Sequence, residues 1–247
     1  MLPAGSAAEV GSSMLLRRFR CAEARDAMTD TLNASSRPLT PPRAAAVAGI
    51  IFSALMIGSL GIIRVAVPDD PTKPGIWLTD STGRNAVRLA LNLVPFAGIA
   101  FLWFMGVLRN RVGALEDQFF ATVFLGSGLL FVGSLFASAA AAGALVETAL
   151  AVNIQQANNE IYYFVRRVSY TFLNVFAIKM AGVFMFSTCT IALRTSILPR
   201  WVAFSGFVCG VALLVVISNW LWIALLFPLW ILLVSTQILV ADRIRHR

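Results

Sequence analysis

The chain has 247 residues, of which 58% are hydrophobic and only 13% are charged. Soluble domains carry about 25% charged residues, so the composition excludes an ordinary soluble protein and indicates a polytopic membrane protein. Cys21, Cys189 and Cys209 are isolated, which argues against a disulfide framework or a zinc site. The net charge of +8 is more typical of basic cytoplasmic ends than of nucleic-acid binding. We therefore predict no metal, no cofactor and no nucleic-acid partner, with the lipid bilayer as the surroundings.

The first 43 residues are polar, rich in Ala, Ser and Pro, and contain several arginines. The prolines of SSRPLTPPR, residues 35–43, prevent a continuous helix. We predict a disordered cytoplasmic tail over residues 1–43. The sequence is equally consistent with translation that begins at Met28.

Six long apolar segments follow and predict an all-α bundle of six transmembrane helices over residues 44–241. The predicted helices are 44–63, 89–108, 119–146, 170–193, 201–217 and 221–241. About 20 apolar residues cross a hydrocarbon core of roughly 30 Å, which is why these segments are assigned as spans. Residues 242–247 are predicted to be a basic cytoplasmic tail.

The connection between the first two predicted helices, residues 64–84, is rich in prolines and carries charges of both signs. It is interpreted either as a vestibule for an ion or substrate or as a solvated loop with ordinary ion pairs. In the second helix, Pro95 frees the backbone carbonyl of Leu91 and is expected to kink the helix in its outer third.

Small residues predict close helix packing in the third and fifth helices. In the third helix they include Gly126, and Ser134, Ser138 and Ala142 repeat every four residues to form one face. That face could line a pore or receive a neighbouring helix. In the fifth helix, Gly206 and Gly210 form a GxxxG motif. Either helix is therefore a candidate contact for a second copy of the chain or for a membrane-protein partner.

Lys179 is the deepest charged residue of the predicted spans. It lies roughly 18 Å along the helix from Arg167 and roughly 22 Å from Arg194, near the bilayer midplane. An ionised residue at that depth is costly and suggests a functional site. Because the predicted spans contain no Asp or Glu, we expect Lys179 to face the bundle interior and to bind backbone carbonyls, hydroxyls or water. If its role is structural, replacement by Met is expected to be tolerated or mildly stabilising.

Two asparagines are predicted to meet in the outer part of the bundle. Asn92 lies roughly 6 Å along its helix from Arg88, and Asn174 lies roughly 10 Å from Arg167. A buried amide needs a hydrogen-bond partner, so we expect a contact between Asn92 and Asn174, with the freed carbonyl of Leu91 as a further acceptor. Lys179, Asn174, Asn92 and Pro95 together form the candidate intramembrane polar site.

The distribution of basic residues predicts the orientation. With the N-terminus inside, thirteen Lys and Arg residues lie in inner segments and six in outer ones. This asymmetry favours both termini in the cytoplasm. The high arginine, alanine and glycine content is typical of a GC-rich bacterial genome, so we predict a bacterial plasma membrane location.

Residues 92–111, NLVPFAGIAFLWFMGVLRNR, and 116–131, EDQFFATVFLGSGLLF, resemble a group of uncharacterised bacterial, largely actinobacterial, six-helix membrane proteins. The resemblance implies the same bundle architecture and brings no activity, substrate or site residues. The sequence lacks HExxH, a Gly-rich phosphate loop and GxSxG, so we predict that the protein is not an enzyme.

Two functions stay open at this point. The first is a membrane-embedded accessory or scaffold protein in which Lys179 has a packing role. The alternative is a small-solute or ion transporter, or a channel-like protein, that uses Lys179 in a polar route. A continuous cavity that reaches Lys179 would favour transport, whereas a solidly packed bundle would favour the accessory role. The absence of an intramembrane acid and of a clear internal repeat favours the accessory role.

Overall fold

The computed structural model describes residues 42–67, 80–112, 118–151, 159–195, 199–215 and 221–245. The predicted N-terminal tail lies outside this part of the chain, apart from its last two residues. The described residues form six helices and no strand, so the prediction of an all-α protein is confirmed for them. The helices are α1 (Pro42–Ala66), α2 (Ser81–Val112), α3 (Gln118–Ala151), α4, α5 (Arg200–Val215) and α6 (Leu221–Arg245). Helix α4 has three consecutive parts, Asn159–Thr171, a π-helical segment Phe172–Ala177, and Ile178–Thr195.

Five of these helices, α1, α2, α3, α4 and α6, are long and apolar enough to cross a membrane by length and composition. Helix α5 is apolar but has only 16 residues. At a rise of 1.5 Å per residue it is about 24 Å long, which is shorter than a hydrocarbon core of about 30 Å. Within the described residues, the predicted fifth span at 201–217 is therefore represented by a helix shorter than a full membrane crossing.

Several helices extend beyond their predicted bounds. Helix α2 begins at Ser81 instead of residue 89, and the carboxylate of Asp80 caps it by accepting the backbone N–H groups of Thr82 and Gly83 at 3.2 and 3.1 Å. Helix α4 begins at Asn159 instead of residue 170. The added turns carry charged residues, which a hydropathy criterion rejects. A helix nevertheless satisfies its own backbone hydrogen bonds on either side of the membrane boundary.

The predicted basic tail at the C-terminus, residues 242–247, also differs from the prediction. Helix α6 continues to Arg245, so most of residues 242–247 extend the helix. Asp242 is buried, and its Oδ2 accepts a hydrogen bond from Nε of Arg43 at 2.8 Å. This ion pair joins the beginning of α1 to the end of α6. Because the Arg43 side chain is 60% exposed, the pair contributes little to stability, about 0–1 kcal/mol.

The centre of the bundle is filled by phenylalanine rings from five helices. Phe101 of α2 is fully buried, and its ring centroid lies 5.1 Å from those of Phe52, Phe131 and Phe184 and 5.7 Å from that of Phe227. Most of these pairs are tilted or edge-to-face, the arrangements that aromatic quadrupoles favour. The described core is therefore packed solidly where a central pore would run.

Helix α5 packs closely on its neighbours through Gly206. A Cβ atom added to Gly206 would lie 2.3 Å from Sγ of Cys189 and 2.7 Å from Nε1 of Trp230. Trp230 belongs to α6, and its Nε1 donates a hydrogen bond to the carbonyl of Val202 in α5 at 3.4 Å. This bond holds the indole against α5. By contrast, a Cβ atom at Gly126 of α3 would have no neighbour within 4 Å.

This difference predicts opposite outcomes for two identical substitutions. Gly206→Ala should lower the free energy of unfolding by about 1–3 kcal/mol because the methyl group overpacks the site. Gly126→Ala should be neutral or stabilise by up to about 1 kcal/mol, since alanine favours the helix. Unfolding of both variants by a denaturing detergent, followed by circular dichroism, measures the effect. Equal stability of the two variants would contradict the close packing of α5.

Candidate functional site: a helix-capping lysine and an apolar cavity

Lys179 binds the end of another helix. It lies at the start of the third part of α4, and it is half-buried. Its Nζ donates a hydrogen bond to the carbonyl of Leu213 at 3.1 Å and a second one to the carbonyl of Leu214. The predicted bonding of Lys179 to backbone carbonyls is thus confirmed.

The position of these acceptors explains why a lysine is needed. Leu213 and Leu214 belong to the last turn of α5, which ends at Val215. The last four carbonyls of a helix have no donor within the helix, and the helix dipole places partial negative charge there. A lysine ammonium supplies hydrogen-bond donors to these carbonyls, and its positive charge is attracted by the partial negative charge. Lys179 therefore caps the C-terminus of α5.

The position of Lys179 along α4 matches the length of the neighbouring helix α5. Thr195 ends α4 and Arg200 begins α5, so the two helices are neighbours joined by a short connection. Lys179 lies about 24 Å before the end of α4, and α5 is about 24 Å long. The lysine and the end of α5 therefore lie at the same level.

A cavity of about 130 Å³ lies elsewhere, between α1, α2, α3 and α4. Its walls are mostly apolar and include Leu60 of α1, Val94 of α2, Leu135 of α3 and Leu173 of α4. Lys179 does not line this cavity, nor does it line a second, much smaller one that adjoins Met56 and Leu173. Neither cavity therefore provides a route to the deep lysine.

Two serines hold α3 and α4 together on the wall of the larger cavity. The hydroxyl of Ser138 donates to the carbonyl of Ser169 at 2.9 Å, and the hydroxyl of Ser169 donates to the carbonyl of Ser138 at 2.9 Å. A third serine on the wall, Ser59, donates to the carbonyl of Ala90 at 2.9 Å and so joins α1 to α2. Each of these hydroxyls donates its hydrogen bond to a backbone carbonyl of a neighbouring helix. The three serines therefore hold together the helices that form the wall of the cavity.

Arg166 is the charged residue on the cavity lining. It is half-buried, its guanidinium carbon lies 5.4 Å from the ring centroid of Tyr170, and it interacts electrostatically with Tyr162 and Tyr170. Such a cation–π contact contributes about 0.5–1 kcal/mol or more and holds the guanidinium in place. In the described part of the chain, no carboxylate forms an ion pair with Arg166. A positive charge thus lies beside an apolar cavity.

A small apolar cluster that includes Val87 of α2 and Val146 of α3 adjoins the cavity, and Val87 also lines it. The next residues, Arg88 and Glu147, form an ion pair with Nη2 and Oε1 2.6 Å apart. Both side chains are largely exposed, so the pair orients α2 and α3 and contributes little to stability.

The predicted asparagine contact is not formed. Asn92 is exposed on α2, whereas Asn174 is half-buried in the π-helical segment of α4, and no hydrogen bond joins the two side chains in the described structure. The reason is helix orientation: Asn92 lies on the exposed side of α2, whereas Val94 and Phe101 of the same helix are buried against the bundle. Pro95 lies within α2 on the exposed surface.

The residues predicted for helix packing divide into two groups. Ser138, Gly206 and Gly210 are buried, and a Cβ atom at Gly210 would lie 3.0 Å from the ring of Phe186, so both glycines of the GxxxG motif contact helices of the same chain. Ser134 is half-buried, Gly126 has open space beside it, and Ala142 lines the cavity.

The cavity and the position of Arg166 on its lining were not predicted from the sequence. A signal for it is present in the segment NEIYYFVRRVSYT at the start of α4. Tyr162, Arg166, Ser169 and Tyr170 follow the spacing i, i+4, i+7 and i+8, which places them on one face of a helix. A cationic residue on the same face as aromatic and small residues is consistent with a lined cavity. Comparison with known protein families, with curated proteins and with solved structures gives no match for this chain.

Proposed function

We propose that this multi-pass membrane protein is a non-enzymatic accessory or scaffold component of a bacterial plasma membrane. The observation that carries the proposal is the contact between Lys179 and the last turn of α5. A lysine bound to helix carbonyls has a structural task and is not presented to a passing solute. The phenylalanine cluster around Phe101 further supports the accessory role over transport, because it fills the centre of the bundle.

The proposal includes an orientation with both termini in the cytoplasm. The excess of basic residues in the predicted inner segments supports it. The ion pair between Arg43 and Asp242 adds support, because it brings the beginning of α1 and the end of α6 to the same side. The resemblance to actinobacterial six-helix proteins is compatible with this location and stays a prediction.

Ion flux through reconstituted protein tests the accessory role against the transport role. Proteoliposomes and empty liposomes are loaded with dyes sensitive to protons, potassium and chloride, and a gradient of each ion is applied. We expect the same leak rates with and without protein, because the described bundle is closed at its centre. A protein-dependent flux of any of these ions would overturn the proposal. If Lys179→Gln also removed that flux while the variant eluted as a folded protein, the transporter alternative would be supported.

A further inference from the structure

The cavity between α1, α2, α3 and α4 has the features of a binding site for an amphiphile. It is apolar along its length and partly open, and Arg166 provides a positive charge on its lining. On α4 the lining extends from Tyr162 to Leu173, a distance of about 16 Å along the helix. Along α1 and the residue that follows it, the lining extends from Met56 to Val67, again about 16 Å. An elongated chain thus fits the cavity better than a compact solute.

The polar groups on the wall differ in what they can offer a ligand. The hydroxyls of Ser59, Ser138 and Ser169 donate to backbone carbonyls of neighbouring helices. Arg166 has five N–H donors, and its described contacts are with tyrosines. Its guanidinium is therefore the group best able to bind an anionic headgroup.

We propose that this cavity binds an anionic amphiphile whose acyl chain lies among the apolar side chains and whose acid group pairs with Arg166. A carboxylate or phosphate accepts two parallel N–H bonds from a guanidinium, which makes arginine well suited to this recognition. The deep end, near Met56 and Leu173, receives the end of the chain. The ligand chemistry is shared by free fatty acids and by anionic phospholipids.

Equilibrium binding of radiolabelled oleate and oleyl alcohol tests the proposal. The protein is placed in nanodiscs of a zwitterionic lipid at pH 8, and empty nanodiscs measure partition into the lipid. We expect saturable binding of oleate near one per chain, and binding of oleyl alcohol weaker by about tenfold or more, since a charge-assisted bond is lost. Equal binding of the two, or no saturable oleate binding, would overturn the proposal.

Three variants locate the site. Arg166→Gln should weaken oleate binding by about tenfold or more and leave oleyl alcohol unchanged. Arg167→Gln is the matched control, because Arg167 is the adjacent exposed arginine, and it should bind oleate normally. Ala142→Phe should reduce binding of both probes by filling the cavity that Ala142 lines. An equal loss in the two arginine variants would contradict a specific role for Arg166. If Arg166→Gln does not fold, the oleate-to-alcohol ratio and Ala142→Phe still decide the proposal.

A competition experiment distinguishes the two sources of ligand. Phosphatidylglycerol is added to the nanodiscs, with the zwitterionic lipid as its control. Displacement of oleate by phosphatidylglycerol identifies the anionic lipid of the membrane as a ligand. Retention of oleate identifies the free fatty acid. Displacement of oleate by the zwitterionic lipid to the same extent would contradict recognition of an anionic group.

Discussion

Replacement of Lys179 by Met is expected to lower the free energy of unfolding by about 2–3 kcal/mol, because the carbonyls of Leu213 and Leu214 lose a charged donor. From the sequence alone, Met at this position was expected to be tolerated, on the assumption that it removes an unpaired buried charge. The structure reverses the expected sign, since the charge has partners. Denaturation of the purified protein by a strong detergent, followed by circular dichroism, measures the loss.

Two further measurements make this prediction specific. Amide hydrogen exchange should increase in the last turn of α5, whereas the core of α2 should keep its protection. Arg167→Met is the matched control, because it replaces an exposed basic residue of the same helix and should change stability by no more than about 0.5 kcal/mol. If Lys179→Met is as stable as the unaltered protein, the lysine does not cap α5.

Phe101→Ala is expected to have the largest effect of any single truncation in the core, about 3–5 kcal/mol. Its ring contacts those of four other helices, and its side chain is 0% exposed. Lipid chains are as apolar as phenylalanine, so the loss comes from the van der Waals contacts around the new cavity. The midpoint of unfolding by detergent or heat reports the effect.

Phe96 provides the control for this prediction. It lies on the same helix, five residues before Phe101, and its side chain is 63% exposed. Phe96→Ala should change stability by less than about 1 kcal/mol, because an exposed ring leaves no cavity. Equal effects of the two substitutions would show that the phenylalanine cluster does not hold the bundle together.

The apolar spans could be predicted from the sequence because their composition alone distinguishes them from connections. The bounds were less accurate, since charged first turns such as those before residue 89 in α2 and before residue 170 in α4 look like loops. The type of partner that Lys179 binds was also predictable, because no carboxylate is available in the predicted spans.

Which residues bind Lys179 was not predictable from the sequence. It depends on where α5 ends, and the sequence after Val215 stays apolar for two more residues. The direction of Asn92 was likewise hidden. In a soluble protein the polar face of a helix reveals its orientation, whereas in a membrane helix both the lipid-facing and the core-facing sides are apolar. Neighbouring helices then decide which residues are buried.

The π-helical segment Phe172–Ala177 has a consequence for how the chain can change in length. Its turn is closed by the N–H of Ile178 and the carbonyl of Leu173, five residues apart, so it contains one residue more than an α-helical turn. Ser169, before the segment, bonds to α3, and Lys179, after it, bonds to α5. Loss of one residue here would let the segment close as a regular α-helix, because the wider π turn holds its extra residue at nearly the same total rotation. Lys179 and Ser169 would then keep their directions toward α5 and α3. Loss of a residue from an α-helical part of α4 would instead rotate everything that follows by about 100°. The chain between these two contacts can therefore be one residue shorter within the π segment and nowhere else in α4.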